Sequence, residues 1–268
     1  MKKILTSLLT LTLVAGLVGA GTMAYFSDTE TSSDNTFVAG SIDLEVGNTS
    51  TYNGVANAGT TWSIDDITDE LFFGFNDVKP GDWGQDTIDL RVTSNPSWVC
   101  ANITLTLSAE NGINEPEEED GDNTIGDWNG ELDNEIQFMF WGDANSDGVF
   151  DAGESVLMAG PISDLPQGDL NAGQVFDITD ATDNIFGVAG VPFPAYDPAD
   201  PNGTTMHIGK VWCFGDLSYD ASLGGYSCDG SLVNNVSQND SVTGNVTFYA
   251  VQERHNETFE CSSWNPND

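Results

Sequence analysis

Basic residues are scarce in this chain. Its 268 residues include only 6 lysines and arginines against 43 aspartates and glutamates, which gives a formal charge of −37 at pH 7. Nucleic acids and anionic membranes are bound through clustered cationic side chains, which this composition does not supply. The charge balance therefore excludes nucleic-acid binding and argues against attachment to an anionic membrane.

Histidine is also scarce, and common catalytic motifs are missing. The two histidines, His207 and His255, stand alone, and no His-Glu-x-x-His pair of the kind found in zinc proteases occurs. Gly-x-Ser-x-Gly and phosphate-binding loops are absent as well. Acidic pairs are so abundant that no glycosidase dyad can be singled out. We predict a protein that is not an enzyme, and we interpret His207 as a strand-face residue without a partner.

Helical periodicity is missing beyond residue 24. Short runs instead alternate apolar and polar residues and end at Gly, Asn or Asp, which is typical of β-strands. No Pro- or Ser-rich linker divides the chain. The sequence therefore predicts one all-β, antiparallel sandwich domain over residues 25–268.

The strand-like runs are unevenly spaced along the chain. They cover residues 41–47, 60–64, 71–75, 87–93, 99–107, 135–141, 205–214 and 245–253. The run at 135–141 has apolar residues on both faces, so we expect it to be central or covered. Pro80 and Gly81 predict a type II turn. Residues 110–131 and 160–202 break the pattern and are predicted as acidic loop insertions, the first of them exposed and mobile.

The N-terminus has the layout of a secretory signal peptide. Lys2 and Lys3 precede an uncharged apolar run, and a small-residue site ends at Ala24. Cleavage there would leave about 244 residues with 4 basic side chains and a formal charge of −39. We expect a secreted protein, extracellular or at the cell surface, that meets a signal peptidase during export and has no membrane segment afterwards.

The strong acidity has three interpretations: adaptation to high salt, cation binding, or solubility of a secreted protein. Like charges at this density repel one another in the folded state unless ions screen them. We therefore expect stability to rise with salt or calcium, and composition alone does not decide between the two.

The four cysteines indicate disulfides, because their number is even and the exported chain meets an oxidising compartment. Three pairings are open. We favour Cys213 with Cys228, which closes a hairpin-sized excursion, and Cys100 with Cys261, which ties the tail to the sheet. Each bridge would add roughly 2–4 kcal/mol of stability. Zinc binding is the competing interpretation, but CxxC spacing is absent.

A calcium-binding loop is the sharpest motif. The twelve residues 143–154 fill every ligand position of the template: Asp143, Asn145, Asp147, the Val149 carbonyl, Asp151 and Glu154. Gly148 supplies the turn at position six. Because a strand-like run precedes the loop, we interpret it as a structural calcium site on a β-hairpin rather than a helix-loop-helix hand. An Asp/Gly turn without an ion is the alternative.

Two further residue sets allow more than one interpretation. Candidate N-glycosylation sequons occur at Asn48, Asn102, Asn202, Asn235, Asn239, Asn245 and Asn256. The second set is aromatic, and most of its members lie in strand-like runs: Trp62, Phe72, Phe73, Phe75, Trp83, Trp98, Trp128, Trp141 and Trp212. These aromatics belong to a core or to a sugar-stacking platform, and we favour the core because burial is the default in strands.

Four segments together resemble the TasA/camelysin family. They are Gly-Thr-Met-Ala-Tyr-Phe-Ser-Asp at 21–28, Phe-Val-Ala-Gly-Ser-Ile-Asp-Leu at 37–44, Asp-Val-Lys-Pro-Gly-Asp at 77–82 and Phe-Tyr-Ala-Val-Gln at 248–252. The resemblance implies a jelly-roll-like sandwich, export with a dedicated type of signal peptidase, and extracellular filaments. It also suggests donor-strand exchange between subunits. Some members have been classed as metalloproteases, a label that the missing zinc motif gives no reason to transfer.

We therefore expect a structural subunit of an extracellular filament or biofilm matrix, whose partners are other copies of itself. Signal cleavage would free residues 25–40 as a donor strand, with Tyr25, Phe26, Phe37 and Val38 in contact with a neighbouring subunit. The alternative is a monomeric, calcium-stabilised carbohydrate-binding or adhesion module, and a secreted hydrolase ranks third.

Overall fold

The computed structural model describes residues 42–165, 167, 175–220 and 225–265. The signal peptide at 1–24 and the donor-strand contacts predicted at Tyr25, Phe26, Phe37 and Val38 lie outside these ranges. Residues 41–268 form one compact unit. Within the described part, no helix combines the length and apolar character needed to cross a membrane.

Antiparallel strands make up most of the structure. The strands are β1 (Asp43–Tyr52), β2 (Val55–Ala56), β3 (Trp62–Asp65), β4 (Trp83–Thr93), β5 (Ser97–Glu110), β6 (Gly126–Asp127), β7 (Ile136–Asp143), β8 (Val156–Pro161), β9 (Val175–Thr179), β10 (Met206–Phe214), β11 (Asp216–Asp220), β12 (Gly225–Asp229) and β13 (Ser241–Gln252). Two short helices, α1 (Glu115–Asp120) and α2 (Leu132–Glu135), lie between β5 and β7. Single 3₁₀ turns occur at Ala58–Thr60, Ile162–Asp164 and Cys261–Ser263.

The strands form two principal sheets and a separate hairpin. The larger sheet has the order β2-β1-β4-β10-β7-β8, with β3 also beside β1. In the smaller sheet β5 lies between β13 and the short strands β6 and β9, while β11 and β12 pair only with each other among the described strands. All these pairings are antiparallel. The prediction of an all-β sandwich is confirmed.

One hydrophobic core fills the space between the two sheets. Along β4 every second residue is buried, so Ile88, Leu90 and Val92 face inward. Ile103 and Leu105 of β5 meet them from the smaller sheet and are 5% and 1% exposed. Each fully buried side chain of this kind contributes about 1.5–3 kcal/mol relative to its exposure. The apolar residues that alternate in the sequence are thus the side chains through which the two sheets pack together.

Strand β7 is buried on both faces, as the sequence predicts. Phe138 and Phe140 join the main core, whereas Met139 and Trp141 form a second cluster with Val211. The β11–β12 hairpin contributes cover on that side, because its Leu217 and Tyr226 pack against the second cluster.

Two tryptophans lie flat against glycines on neighbouring strands. Trp141 is paired with Gly209 across the sheet, and Trp212 is paired with Gly84. A Cβ at Gly209 would lie 2.1 Å from the Trp141 ring, and one at Gly84 would lie 2.2 Å from the Trp212 indole nitrogen. These strand glycines therefore make room for the large rings, which explains their place inside long strands.

Several segments differ from the sequence prediction. Residues 71–75 form no strand, although Phe72 is buried in the core. Strands β8 and β9 and the β11–β12 hairpin were not anticipated. Residues 110–131 are not an irregular loop throughout: they contain α1 and β6, and Glu117 is fully buried. Most residues of 111–131 are exposed as expected, but the short elements and the buried Glu117 were missed because acidic composition was taken as a sign of an irregular loop.

The structure has two disulfides, Cys100–Cys261 and Cys213–Cys228. The first spans 161 residues and joins β5 to the segment after β13, while the second spans 15 residues and joins β10 to β12. Both are the pairings favoured from the sequence. The Pro80-Gly81 turn is also present: the N–H of Asp82 donates to the carbonyl of Lys79 at 2.8 Å, and Gly81 has φ of 90°.

Candidate functional site

The acidic loop at 143–154 joins β7 to β8. The two strands pair antiparallel, and the N–H of Gly142 donates to the carbonyl of Ser155 at 3.0 Å, which closes the base of the loop. All six ligand positions proposed from the sequence lie in this one connection: Asp143, Asn145, Asp147, Val149, Asp151 and Glu154. The loop is therefore carried on a β-hairpin, not between two helices.

Backbone N–H groups hold the carboxylates at both ends of the loop. Asp143 is 1% exposed, and its Oδ2 accepts from the N–H of Gly148 at 2.8 Å. Gly148 has φ of 72°, a left-handed conformation that glycine adopts without a Cβ penalty. The two oxygens of Glu154 accept from the N–H groups of Ala144 and Asp151 at 2.9 and 2.8 Å.

The side chains between these ends converge on one another. The Asn145 amide donates to carboxylate oxygens of Asp147 and Asp151 at 3.0 and 2.9 Å, and the N–H of Val149 donates to Asp147 at 2.8 Å. Burial, followed by repulsion from neighbouring loop carboxylates, raises the pKa of Glu154. A hard cation would relieve that repulsion, so the loop is chemically suited to a metal bound through oxygen.

In the described part of the chain, histidine and cysteine side chains do not come together to form a zinc site. His207 lies partly buried on β10 with its Nδ1 2.5 Å from Asp89 Oδ1, so its place on a strand is as expected, but the expected lack of a partner is wrong. All four cysteines are in disulfides. The clusters of metal-ligand side chains among the described residues contain no histidine.

One edge of the smaller sheet is open. Within the described ranges, the 12-residue strand β13 pairs with β5 and with no other strand. A row of unpaired N–H and C=O groups along such an edge is a template for another strand. The sequence predicted a strand at 245–253 but gave no sign that one of its edges lacks a partner among the described strands, since pairing depends on distant parts of the chain.

Two hollows border this edge, one near each end of β13. The first has a volume of about 800 Å³ and is lined by Val242 and Gly244 of β13. Its walls are mostly apolar and include Ile103, Leu105, Phe138 and Trp212 from both sheets. Among the described residues, the sandwich therefore has a hollow beside the start of β13.

The second hollow lies at the other end of β13. It has a volume of about 530 Å³ and is lined by Phe248 and Ala250 together with Ile42, Leu44 and Val46 at the start of β1. The first residues of β1 thus reach the open side of the sandwich, where an added strand would meet apolar side chains from both sheets. We call β13 and these two hollows the acceptor edge.

The candidate glycosylation sites divide by exposure. Asn48 and Asn102 are 0% and 4% exposed, so neither amide can carry a glycan in the folded protein. The remaining five are exposed: Asn202, Asn235, Asn239, Asn245 and Asn256.

The aromatic residues belong mainly to the core. Phe72, Trp98, Trp141 and Trp212 are buried. Trp62, Phe73 and Phe75 pack against the core. Trp128 differs because 41% of it is exposed.

Comparison with curated proteins gives no match. The family model described as camelysin metallo-endopeptidase matches residues 1–152, which is more than half of the chain. The matched region includes the three N-terminal segments that carry the sequence resemblance, and it ends inside the loop between β7 and β8. The chain belongs to the camelysin metallo-endopeptidase family.

Proposed function

We propose that this protein is a secreted structural subunit of an extracellular or cell-surface filament, such as a biofilm matrix fibre, and that it assembles by donor-strand exchange. The observation that carries the proposal is the acceptor edge: a long strand that is open within the described chain, with a mostly apolar hollow near its start and a mixed polar and apolar hollow near its end. Membership of the TasA/camelysin family supports a secreted matrix protein in general.

In the proposed assembly, the donor is the segment 25–40 of another copy. Its backbone would pair with β13, and alternate apolar side chains would enter the hollows. Tyr25, Phe26, Phe37 and Val38 are the contacts that we assign to this segment. Because a donor on one subunit meets an acceptor on the next, the contact is heterologous and does not close, so it extends into a filament.

We assign the protein a non-enzymatic role, although the family description names a metallo-endopeptidase. A catalytic zinc needs an open site with histidine or comparable ligands. In the described residues, His207 is bonded to Asp89 and every cysteine is in a disulfide, so the donors present do not fit such a centre. The family description still makes a protease assay worthwhile, with no cleavage above background expected.

Calcium would have a structural role in this proposal. The β7–β8 loop offers five oxygen-bearing side chains and one backbone carbonyl, which suits the six to eight hard oxygen ligands of Ca²⁺. The ion would fix the hairpin beside the covered face of β7.

A carbohydrate-binding module is less well supported. A sugar-stacking platform needs exposed, coplanar aromatic rings, whereas most tryptophans of the described chain are at least partly buried and only Trp128 is largely exposed. No observation favours this second function.

Charged substitutions in the donor segment test the proposed assembly. In the full secreted protein, Phe37→Asp with Val38→Asp puts two charges where apolar contacts are expected. We expect folded monomers with the parent melting temperature but no filaments, measured by electron microscopy and sedimentation velocity. The matched control is Ser32→Asp with Ser33→Asp, which adds the same charge to the polar residues 27–36, between the assigned contacts Phe26 and Phe37, and should leave filaments unchanged.

Ala250→Trp tests the acceptor side, because it places a large ring in the second hollow. It should also give monomers. Because their donor segment is unchanged, each monomer should bind to the end of a parent filament but should then block the addition of further subunits at that end. Filaments of parent length from both the donor and the acceptor variant would overturn donor-strand exchange.

A further inference from the structure

Five carboxylates meet where β5, α1, α2 and β13 come together. We name this group the Glu110 cluster, and its members are Glu110, Glu117, Asp122, Glu131 and Asp240. Ligand oxygens of Glu110, Glu117 and Asp240 lie within 4.8 Å of one another, and the same holds for Glu110, Asp122 and Glu131. Glu110 therefore belongs to two overlapping groups of three.

Regular local structure places each of these residues. Glu110 is the last residue of β5, and Glu117 closes a capping box with Asn114 at the start of α1. The left-handed Gly121, with φ of 100°, ends α1 and directs the chain to Asp122. Glu131 immediately precedes α2, and Asp240 immediately precedes β13.

Three members of the cluster are buried, and Glu131 and Asp240 are partly buried. Glu110, Glu117 and Asp122 are 4%, 0% and 7% exposed. Burial raises the pKa of Glu117, and burial together with the neighbouring Glu110 carboxyl raises the pKa of Asp240 to about 7. An unpaired buried carboxylate costs several kcal/mol, so proteins bury such groups with a partner or a metal.

Each carboxylate has one oxygen held by the chain. Oxygens of Glu110, Glu117 and Asp240 accept backbone N–H groups, from Gly112 at 2.7 Å, from Asn114 at 2.6 Å, and from Glu131 and Leu132 at 2.6 and 3.0 Å. Thr124 donates to Asp122 at 2.9 Å and to Glu131 at 3.3 Å. These bonds orient the carboxyl groups without neutralising them.

The second oxygen of every member is buried without a hydrogen-bond partner in the described structure. These atoms are Glu110 Oε2, Glu117 Oε1, Asp122 Oδ2, Glu131 Oε2 and Asp240 Oδ1. Five such atoms in one cluster are unusual, because nearly all buried polar atoms in proteins are satisfied.

No basic side chain of the mature chain is placed to neutralise the cluster. Lys79 is exposed beside Asp77, Lys210 is buried against Asp86, and Arg91 stacks on Tyr196. Arg254 follows the far end of β13, about 40 Å from Asp240 at the usual rise of a strand. The charges that act on Glu117 and Glu131 are other carboxylates.

We propose that the Glu110 cluster binds a hard divalent cation, Ca²⁺ by its chemistry. All the ligands are carboxylate oxygens, and their number suits the coordination of calcium. The site shares no residue with the β7–β8 loop. Asp240 also lines the first hollow, so the ion would fix the start of the acceptor edge; this consequence rests on the proposed function, whereas binding itself does not.

Calcium binding is best tested in a protein whose β7–β8 loop is disabled by Asp147→Asn and Glu154→Gln. This parent should still bind Ca²⁺ by isothermal titration calorimetry and gain melting temperature from it. Adding Glu110→Gln should weaken the affinity at least tenfold. When a chelator removes Ca²⁺, the same variant should have a higher melting temperature than the parent, because the substitution removes one of several buried carboxylates that repel one another. The matched control is Glu119→Gln, an exposed acid on α1 that should change neither property.

Two results would contradict calcium binding by the Glu110 cluster. A loop-disabled parent that binds no Ca²⁺, or a folded Glu110→Gln variant that binds it like the parent, would overturn the proposal. If Glu110→Gln does not fold, Asp240→Asn decides with the same expectations. Since the measurement is made on monomers, failure to form filaments would bear on the proposed function and not on this site.

Discussion

Lys210 is a single cation at the centre of the larger sheet. It is 0% exposed, lies opposite Asp86 on β4, and has its Nζ 2.9 Å from Asp86 Oδ2. The Nζ also donates to the carbonyl of Phe72 at 3.1 Å and lies 4.0 Å from the centre of the Phe73 ring. Burial lowers the pKa of Lys210, and Asp86 opposes that effect. One side chain thus fixes the segment at 71–75 to the sheet.

Lys210→Met should destabilise the protein by roughly 3–5 kcal/mol, because it leaves the Asp86 charge buried without its cation. The free energy of unfolding from urea titration measures this loss. Adding Asp86→Asn should recover part of it. Lys79→Met is the matched control, since the exposed pair with Asp77 should contribute about 1 kcal/mol or less. Equal losses in the two lysine variants would contradict this account.

Asp177 on β9 should make stability depend on pH. Burial, followed by repulsion from Asp180 and Asp183, raises its pKa to about 6, above an ordinary value of 3.8. The folded state therefore holds this proton more tightly, and its contribution to stability is present below pH 4 and lost as the pH rises to about 6. Asp177→Asn should stabilise the protein at pH 7 by roughly 1–2 kcal/mol and flatten this part of the pH profile. Denaturant titrations at pH 4 and pH 7 would show the difference, and an unchanged profile would argue against it.

At the scale of elements, the sequence predicts the strands that have one buried face. β4 alternates between buried and partly buried residues; β5 alternates between apolar and polar residues in sequence, although the structure buries both of its faces. β7 was expected to be covered because both its faces are apolar. The cover itself, the β11–β12 hairpin, was missed because each of its strands has only five residues, too few for their alternation to stand out from the polar residues around them. Residues 71–75 are apolar enough for a strand, but aromatic packing and the Lys210 bond hold them instead of a ladder.

The candidate sites differ in the same way. The β7–β8 loop was found from sequence because its ligand positions follow one another within twelve residues. The Glu110 cluster was not found from sequence. Asp240 lies 130 residues beyond Glu110, and the other members have the sequence pattern of a solvated acidic loop. The acceptor edge exists because β13 has no second partner among the described strands. The residue pattern of a single strand does not show which other strands it pairs with.

Calcium should order the β7–β8 loop specifically. In the full chain, Ca²⁺ should slow amide hydrogen exchange at Gly148 and Val149, and Glu154→Gln should abolish that protection. At one hundred times its dissociation constant, an ion bound only to the folded state adds about 2.7 kcal/mol. Glu118→Gln, an exposed acid outside the loop, is the control. If calcium does not change the hydrogen-exchange rate of these amides, the loop is excluded as a binding site.

At the scale of the whole molecule, charge is the dominant property. With 43 acidic residues, repulsion acts across the entire surface and opposes the compact state. Salt shortens the range of that repulsion from about 10 Å at 0.1 M to about 3 Å at 1 M.

The melting temperature in chelator should therefore rise as sodium chloride increases from 0.1 to 1 M. A variant with Glu115, Glu118 and Glu119 each changed to Gln, all exposed on α1, should gain less from the same salt. Differential scanning calorimetry measures both gains. A melting temperature that stays constant would show that the acidic surface does not limit stability.

The bond between Cys100 and Cys261 converts most of the folded chain into a covalent ring. A force applied at the two termini can draw out only the residues outside that ring, because the 161-residue span within it cannot be stretched end to end while the bridge is intact. Strands β9 to β13 all lie inside this span. In the proposed filament, the bridge would therefore limit how far each subunit can be extended under tension.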